Sequence, residues 1–258
     1  MATGPPLRAV VVGNSVSVLC RPHEAGGPGT YAAALGDACR SRGVAVEVWN
    51  QGRWFEMVDT CRRRWDRDVS PFLPDVLIVN YGAAECQPWV APHLVHRMLL
   101  DWKTRTTRAS EVGRRALVAP GRAYLARMTP TICRLVGQRG HKMRPRRFEE
   151  EVRRLIRTTR GELDAGVLVL GMGPPGPKLE RFMPGFGERC QRYDALLQQV
   201  VASFDDDRVQ HVDVVPLYER LGAEAMSFDG LHYTPDGHRA VAELLAERVP
   251  GVLPARCG

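Results

Sequence analysis

Apolar residues recur along the chain in two alternating patterns: short runs, and stretches spaced three or four apart. Residues 7–12 are a short apolar run that stops at Gly13, as a buried parallel strand does. Residues 30–42 follow with Tyr31, Leu35, Ala38 and Cys39 at helical spacing, and Gly43 stands where a helix is capped. Residues 44–49 predict a second strand running into the turn Asn50-Gln51-Gly52, and residues 55–65 predict a second helix. Residues 75–80 form the third strand around Val76, Leu77, Ile78 and Val79, ended by Tyr81-Gly82-Ala83-Ala84-Glu85. Residues 146–160 place Phe148, Val152, Leu155 and Ile156 on one helical face, with Glu149 and Glu150 each four residues before an arginine. A fourth strand at 167–170 leads into the turn-rich stretch Gly171-Met172-Gly173-Pro174-Pro175-Gly176-Pro177. Phe186, Cys190, Tyr193, Leu197 and Val200 mark another amphipathic helix, and residues 209–215 a fifth strand. Thr234 and Pro235 read as the N-cap and first residue of a last helix ending near Arg248, buried through Ala240, Val241, Leu244 and Leu245. Strands alternating with helices predict a mostly parallel sheet covered on both faces.

The interval between the third and fourth strands is longer than one crossover helix requires. Residues 86–145 carry breaks at Pro88, Pro92, Pro120, Gly121, Pro130 and Pro145, and predict an inserted lid or partner-docking subregion within a single domain spanning 1–258. The net charge of +7 is concentrated there: residues 97–160 hold eighteen of the 36 Lys and Arg against five acidic residues. A solvated helical surface is the first reading, and a landing surface for an acidic partner (an acyl-carrier protein, for instance) or an anionic ligand the second. Nucleic acid ranks last, because no recognition module accompanies the charge and aromatics do not interleave with it.

At 258 residues, 44% of them hydrophobic, the chain is long enough to bury a sizeable core. No apolar run approaches the ~20 residues of a membrane span. The start, Met-Ala-Thr-Gly-Pro-Pro-Leu-Arg, lacks the pattern of a signal peptide. Seven scattered cysteines with no Cys-x-x-Cys argue against a disulfide framework or a structural zinc site, and favour a reducing cytoplasm. His93 and His96 lie three apart without a carboxylate or third histidine to complete a metal site, so no metal or other cofactor is expected.

The candidate chemistry lies at the carboxyl ends of the predicted strands and before the last helix, where sites form in open parallel sheets. Ser15 follows strand one, Gly52 strand two and Gly82 to Glu85 strand three, while Asp229 and His232 precede the final helix. A serine hydroxyl is a weak nucleophile until a base stands within hydrogen-bond reach. His232 can accept its proton, and Asp229 can hold the other ring nitrogen. The backbone N–H groups of Ser15 and Gly52 can receive the oxyanion. Singly, each residue has a plainer role: Ser15 as a helix cap, Asp229 as a turn residue, His232 as a partly buried histidine. Their joint placement favours a triad. Glu85 reads as a strand-end carboxylate, Cys86 as packing, and His238 as a structural residue of the last helix.

Gly13-Asn14-Ser15, Asn50-Gln51-Gly52-Arg53 and Asp229-Gly230-Leu231-His232, followed by Gly237-His238, occur in the order and spacing of the SGNH, or GDSL-type, hydrolases, which the chain resembles from residue 8 to 249. The resemblance implies a flavodoxin-like three-layer α/β/α sandwich with a parallel five-stranded sheet, carrying the basic helical insertion. It implies a serine hydrolase cleaving an ester or thioester through a Ser15 acyl-enzyme, on a small-molecule substrate. An acyltransferase and a weakly active or inactive binding protein are the alternatives. Two positions depart from the family. Asn14 stands for the usual aspartate, and Gly82-Ala83-Ala84-Glu85 aligns with Gly-x-Asn-Asp, so that Ala84 replaces the side-chain donor of the oxyanion hole. Such a loss typically costs about 10²–10³ in turnover. Asn80, two residues before Gly82, or an arginine of the insertion is the candidate substitute.

Overall fold

The computed structural model describes residues 5–18, 29–88 and 127–254. Five strands form one parallel sheet: β1 (Leu7–Gly13), β2 (Val46–Asn50), β3 (Val76–Asn80), β4 (Gly166–Leu170) and β5 (Val209–Val212), in the order β2-β1-β3-β4-β5. This is the flavodoxin-like arrangement. The order reverses between β1 and β3, where Gly13 is in register with Asn80. That reversal opens a crevice beyond the strand ends, and Ser15 and the Gly82–Glu85 turn both lie at it.

Alternate residues of the strands feed two cores. Ala9, Val11 and Ile78 pack with α1 (Tyr31–Arg40) and the last helix through Tyr31, Leu35, Val241 and Leu245. Val10, Val12, Leu77 and Val79 pack on the opposite face against α2 (Val58–Arg63), α3 (Pro145–Leu163) and α4 (Phe186–Ala202), through Val58, Phe148, Leu155, Phe186 and Leu197. Each such buried aliphatic or aromatic side chain contributes about 1.5–3 kcal/mol by leaving water. The last helix, α5 (Pro235–Arg248), starts as its sequence predicts: Thr234 Oγ1 accepts from the Gly237 N–H at 3.0 Å, with proline at the first turn.

Two elements differ from expectation. The second helix starts at Val58 instead of residue 55, because Phe55 takes a left-handed φ of 55° that a helix cannot continue through. The fifth strand stops at Val212, not 215. Asp213 Oδ1 accepts from the Val215 N–H at 2.9 Å, and Val215–Leu221 turns into a helix with Pro216 in its first turn.

Of the predicted insertion, residues 127–136 are helical and Gly137–Arg139 form a 3-10 turn. His93, His96 and seven of the eighteen basic residues between 97 and 160 lie outside the described residues. The chain rejoins the end of β3 through backbone bonds: the N–H groups of Lys142 and Met143 both donate to the Glu85 carbonyl, at 2.9 and 3.1 Å. Among the described residues no helix is long and apolar enough to cross a membrane.

Candidate active site

Ser15 sits at the start of a short helical turn, Ser15–Val18, directly after β1. The turn is closed locally: Asn14 Oδ1 accepts from the Val16 N–H (3.1 Å) and the Asn14 carbonyl from the Ser17 N–H (3.0 Å). Gly13 is required there, since a Cβ would lie 2.7 Å from the Asn80 carbonyl and collide with Ser17 Oγ. Asn14 is buried, and its Nδ2 has no partner among the described residues. The Asn14 amide thus leaves a buried donor unmatched, a cost of about 1–3 kcal/mol.

Beneath the turn runs a polar network. Ser17 Oγ and Tyr31 Oη are 2.8 Å apart, Asn80 Nδ2 donates to Tyr31 Oη at 3.1 Å, and the Tyr31 N–H donates to His238 Nδ1 at 3.1 Å. Burial pushes the Tyr31 phenol up to about 12, so it stays a neutral donor and acceptor. His238 is fully buried and ties α5 to α1. Asn80 spends its amide on Tyr31, which fits a structural part better than that of an oxyanion donor.

The Asp229-Gly230-Leu231-His232 segment is a tight loop. Ser227 and Tyr233 bridge at its base, and the Phe228 N–H donates to the His232 carbonyl at 3.2 Å. The two oxygens of Asp229 divide the work. Oδ1 accepts from the backbone N–H groups of Leu231 (3.0 Å) and His232 (2.8 Å), and Oδ2 lies 2.7 Å from His232 Nδ1. Burial raises the Asp229 carboxyl, but the hydrogen bonds from the His232 side chain and from the two N–H groups outweigh it and hold it below its ordinary value. An ionised carboxylate only accepts, so Nδ1 carries the proton and Nε2 of the neutral ring is an acceptor. That Nε2 lies 2.9 Å from Ser15 Oγ. Phe228 stacks on the imidazole with ring centres 5.9 Å apart.

The structure therefore brings Ser15, His232 and Asp229 together in one hydrogen-bonded line, although Ser15 and His232 are 217 residues apart in sequence. Gly52 is close to the same turn, since a Cβ on it would meet Ser17 and Val18 at 2.9 and 3.1 Å. Its N–H, however, donates to Asn50 Oδ1 at 3.0 Å, an Asx turn that the sequence Asn50-Gln51-Gly52 encodes but that motif matching does not reveal. Asn50 Nδ2 also holds the Ser17 carbonyl (2.9 Å). Buried Arg64 fixes this loop from behind through the Gln51 carbonyl, at 2.6 Å, and Glu56.

Ala84 is buried in the Gly82–Glu85 turn and brings no side-chain donor. The turn is pinned by Glu85, whose fully buried carboxylate accepts from the N–H groups of Val58 and Gly82, both at 2.8 Å. Burial pushes Glu85 up to about 7 against the opposing hydrogen bonds, and lowers the neighbouring Lys142 to about 8. Because Glu85 binds its proton more tightly folded than unfolded, the folded state loses stability as pH rises from about 4.5 to 7. The shift corresponds to about 3 kcal/mol. Glu85→Gln is expected to flatten the melting temperature over that window relative to wild type. Parallel pH profiles of the two proteins would refute the assignment.

Two features carried no motif signal. The Gly171–Pro177 stretch buttresses the Asp229–His232 loop: Gly176 N–H donates to the Gly230 carbonyl at 3.0 Å, and Gly230 has a φ of 88°. A Cβ on either glycine would fall within 2.8 Å of the other's backbone. The density of glycine and proline was the available clue. Met172 and Tyr218, in the lining of one cavity with Gly230, carry no signal in the sequence.

No protein-family model matches the chain, and no curated protein matches it. Solved structures do. A lipase/acylhydrolase from Enterococcus faecalis superposes with a TM-score of 0.64 at 15% identity, covering 98% of this chain and 100% of that one. An acetylxylan esterase from Geobacillus stearothermophilus gives 0.59 at 16% identity, with 99% and 100% coverage. A putative GDSL-like lipase from Parabacteroides merdae gives 0.58 at 15% identity, with 95% of each chain covered. What this chain shares with them, over nearly its whole length, is the α/β fold of the SGNH hydrolases.

Proposed function

We propose that the protein is a serine hydrolase of the SGNH type that cleaves an ester or thioester through an acyl-enzyme on Ser15. The observation that carries this reading is the continuous line from Ser15 Oγ through His232 to Asp229, at 2.9 and 2.7 Å. In the proposed cycle Ser15 Oγ attacks the carbonyl carbon while its proton passes to His232 Nε2. The imidazolium, held by Asp229, returns that proton to the leaving oxygen or sulfur. Water, deprotonated by the same His232, then releases the acid and regenerates Ser15. The Ser15 N–H would receive the oxyanion, with Gly52 N–H joining it if its bond to Asn50 opens. Fold neighbours described as a lipase/acylhydrolase and an acetylxylan esterase support ester substrates, and small-molecule acyl esters are the proposed class.

A second reading has its own support. Ala84 lacks the side-chain donor, and Gly52 N–H is already engaged, so the oxyanion hole is thin. A slow enzyme, or a binding protein that kept the fold, would look this way. A fluorophosphonate probe separates them. The expected result is a single adduct on Ser15 by intact mass and peptide mapping, absent from Ser15→Ala. Folded wild-type protein that takes no label would dismiss the catalytic reading in favour of the binding one.

A further inference from the structure

Beyond the carboxyl ends of β3 and β4 lies a cavity of about 20 Å³ whose walls include Val16, Ala83, Met172, Cys190, Tyr218 and Leu231. Val16 follows Ser15, Ala83 belongs to the Gly82–Glu85 turn, and Leu231 precedes His232, so three of the four segments around the site contribute walls and the Asn50–Arg53 turn does not. The remaining side is built by the segment after β4 and by Tyr218. A space of this size takes about one water or a methyl-sized group. Among the described residues no charged side chain lines it, which suits an alkyl group and not a charged acyl chain.

The far wall has little freedom except at one residue. A Cβ on Gly171 would meet Asp194 and His211 at 2.9 Å, and one on Gly173 would run into the Tyr218 ring. The Met172 N–H is held by Asp194 Oδ1 at 2.9 Å, and Asp194 is itself held by Gln198 (2.8 Å) and His211 (3.2 Å). The Met172 side chain folds over Gly82, its Sδ 2.5 Å from where a Cβ on that glycine would stand. An unbranched thioether is thus the one adaptable side chain on the Gly171–Gly173 side of the space.

We infer that this cavity is the acyl subsite of the proposed hydrolase and that Met172 sets its depth, restricting the acyl group to acetyl or a chain little longer. The inference rests on the hydrolase reading. The test compares 4-nitrophenyl acetate, butyrate and octanoate on the full chain. Wild type is expected to favour acetate over octanoate by at least 10-fold in kcat/KM, and Met172→Ala to shift that ratio toward octanoate by about 10–100-fold. Cys190→Ala, a smaller change in the same wall, is expected to shift it the same way by less, and serves if Met172→Ala does not fold. Equal use of acetate and octanoate by wild type overturns the inference, as does an unchanged ratio in folded variants. Small-fluorophosphonate labelling of Ser15 is run in parallel. Labelled protein without chain-length preference overturns the subsite alone, whereas unlabelled protein overturns the hydrolase reading and the subsite with it.

Discussion

Replacing His232 by alanine is expected to slow acyl-enzyme formation by about 10⁴–10⁶-fold. The imidazole is the one base within hydrogen-bond distance of Ser15 Oγ among the described residues, at 2.9 Å. Without it the hydroxyl must lose its proton to water during attack, and the leaving group must depart without an acid. The ring is held by Asp229 and by stacking on Phe228, so its removal costs some local order but does not touch the two cores. The measurement is the pre-steady-state rate of acylation by an activated ester, with circular dichroism to confirm the fold. A folded His232→Ala protein that acylates within tenfold of wild type would remove the histidine from the mechanism.

Asp229→Asn is expected to cost about 10⁴ in kcat. The reason lies in how the carboxylate is used. Oδ1 is committed to two backbone N–H groups, at 3.0 and 2.8 Å, so an asparagine must keep its carbonyl oxygen there. Its NH₂ then faces His232 Nδ1 and can only donate. The imidazole must place its own proton on Nε2, where it confronts the serine hydroxyl as a donor and can no longer take its proton. The substitution preserves the loop and reverses the tautomer. Steady-state kcat for Asp229→Asn, set beside an unchanged melting temperature, checks this. A variant with near-wild-type turnover would mean that Asp229 shapes the loop and does nothing for the base.

Much of this arrangement is legible in the residues. Five strands at the expected places, Thr234-Pro235 at the start of α5, and the three motif blocks follow from period, capping chemistry and spacing. The rest depends on side chains competing for backbone groups, which no periodicity records. Asn50 claims the Gly52 N–H, Asp213 ends β5 early, and a left-handed Phe55 delays α2. The Gly176–Gly230 contact joins segments more than fifty residues apart, and depends on the absence of two side chains. Glu85 reads as an ordinary strand-end carboxylate, yet its two oxygens hold the Gly82–Glu85 turn to α2.

Glu85 also marks where the long segment between β3 and α3 begins, and its carbonyl accepts from Lys142 and Met143, where that segment ends. The two ends therefore share an anchor, and the point where the segment leaves and rejoins the sheet is fixed whatever its length. Closing a longer or shorter loop across a fixed anchor changes the entropy only logarithmically, by about 0.6 kcal/mol per doubling. Within the segment Cys133 packs into the second core, so a change of length is tolerated only where that residue keeps its place. An engineer seeking a new specificity would vary the chain between Pro88 and Thr129 before touching the strands.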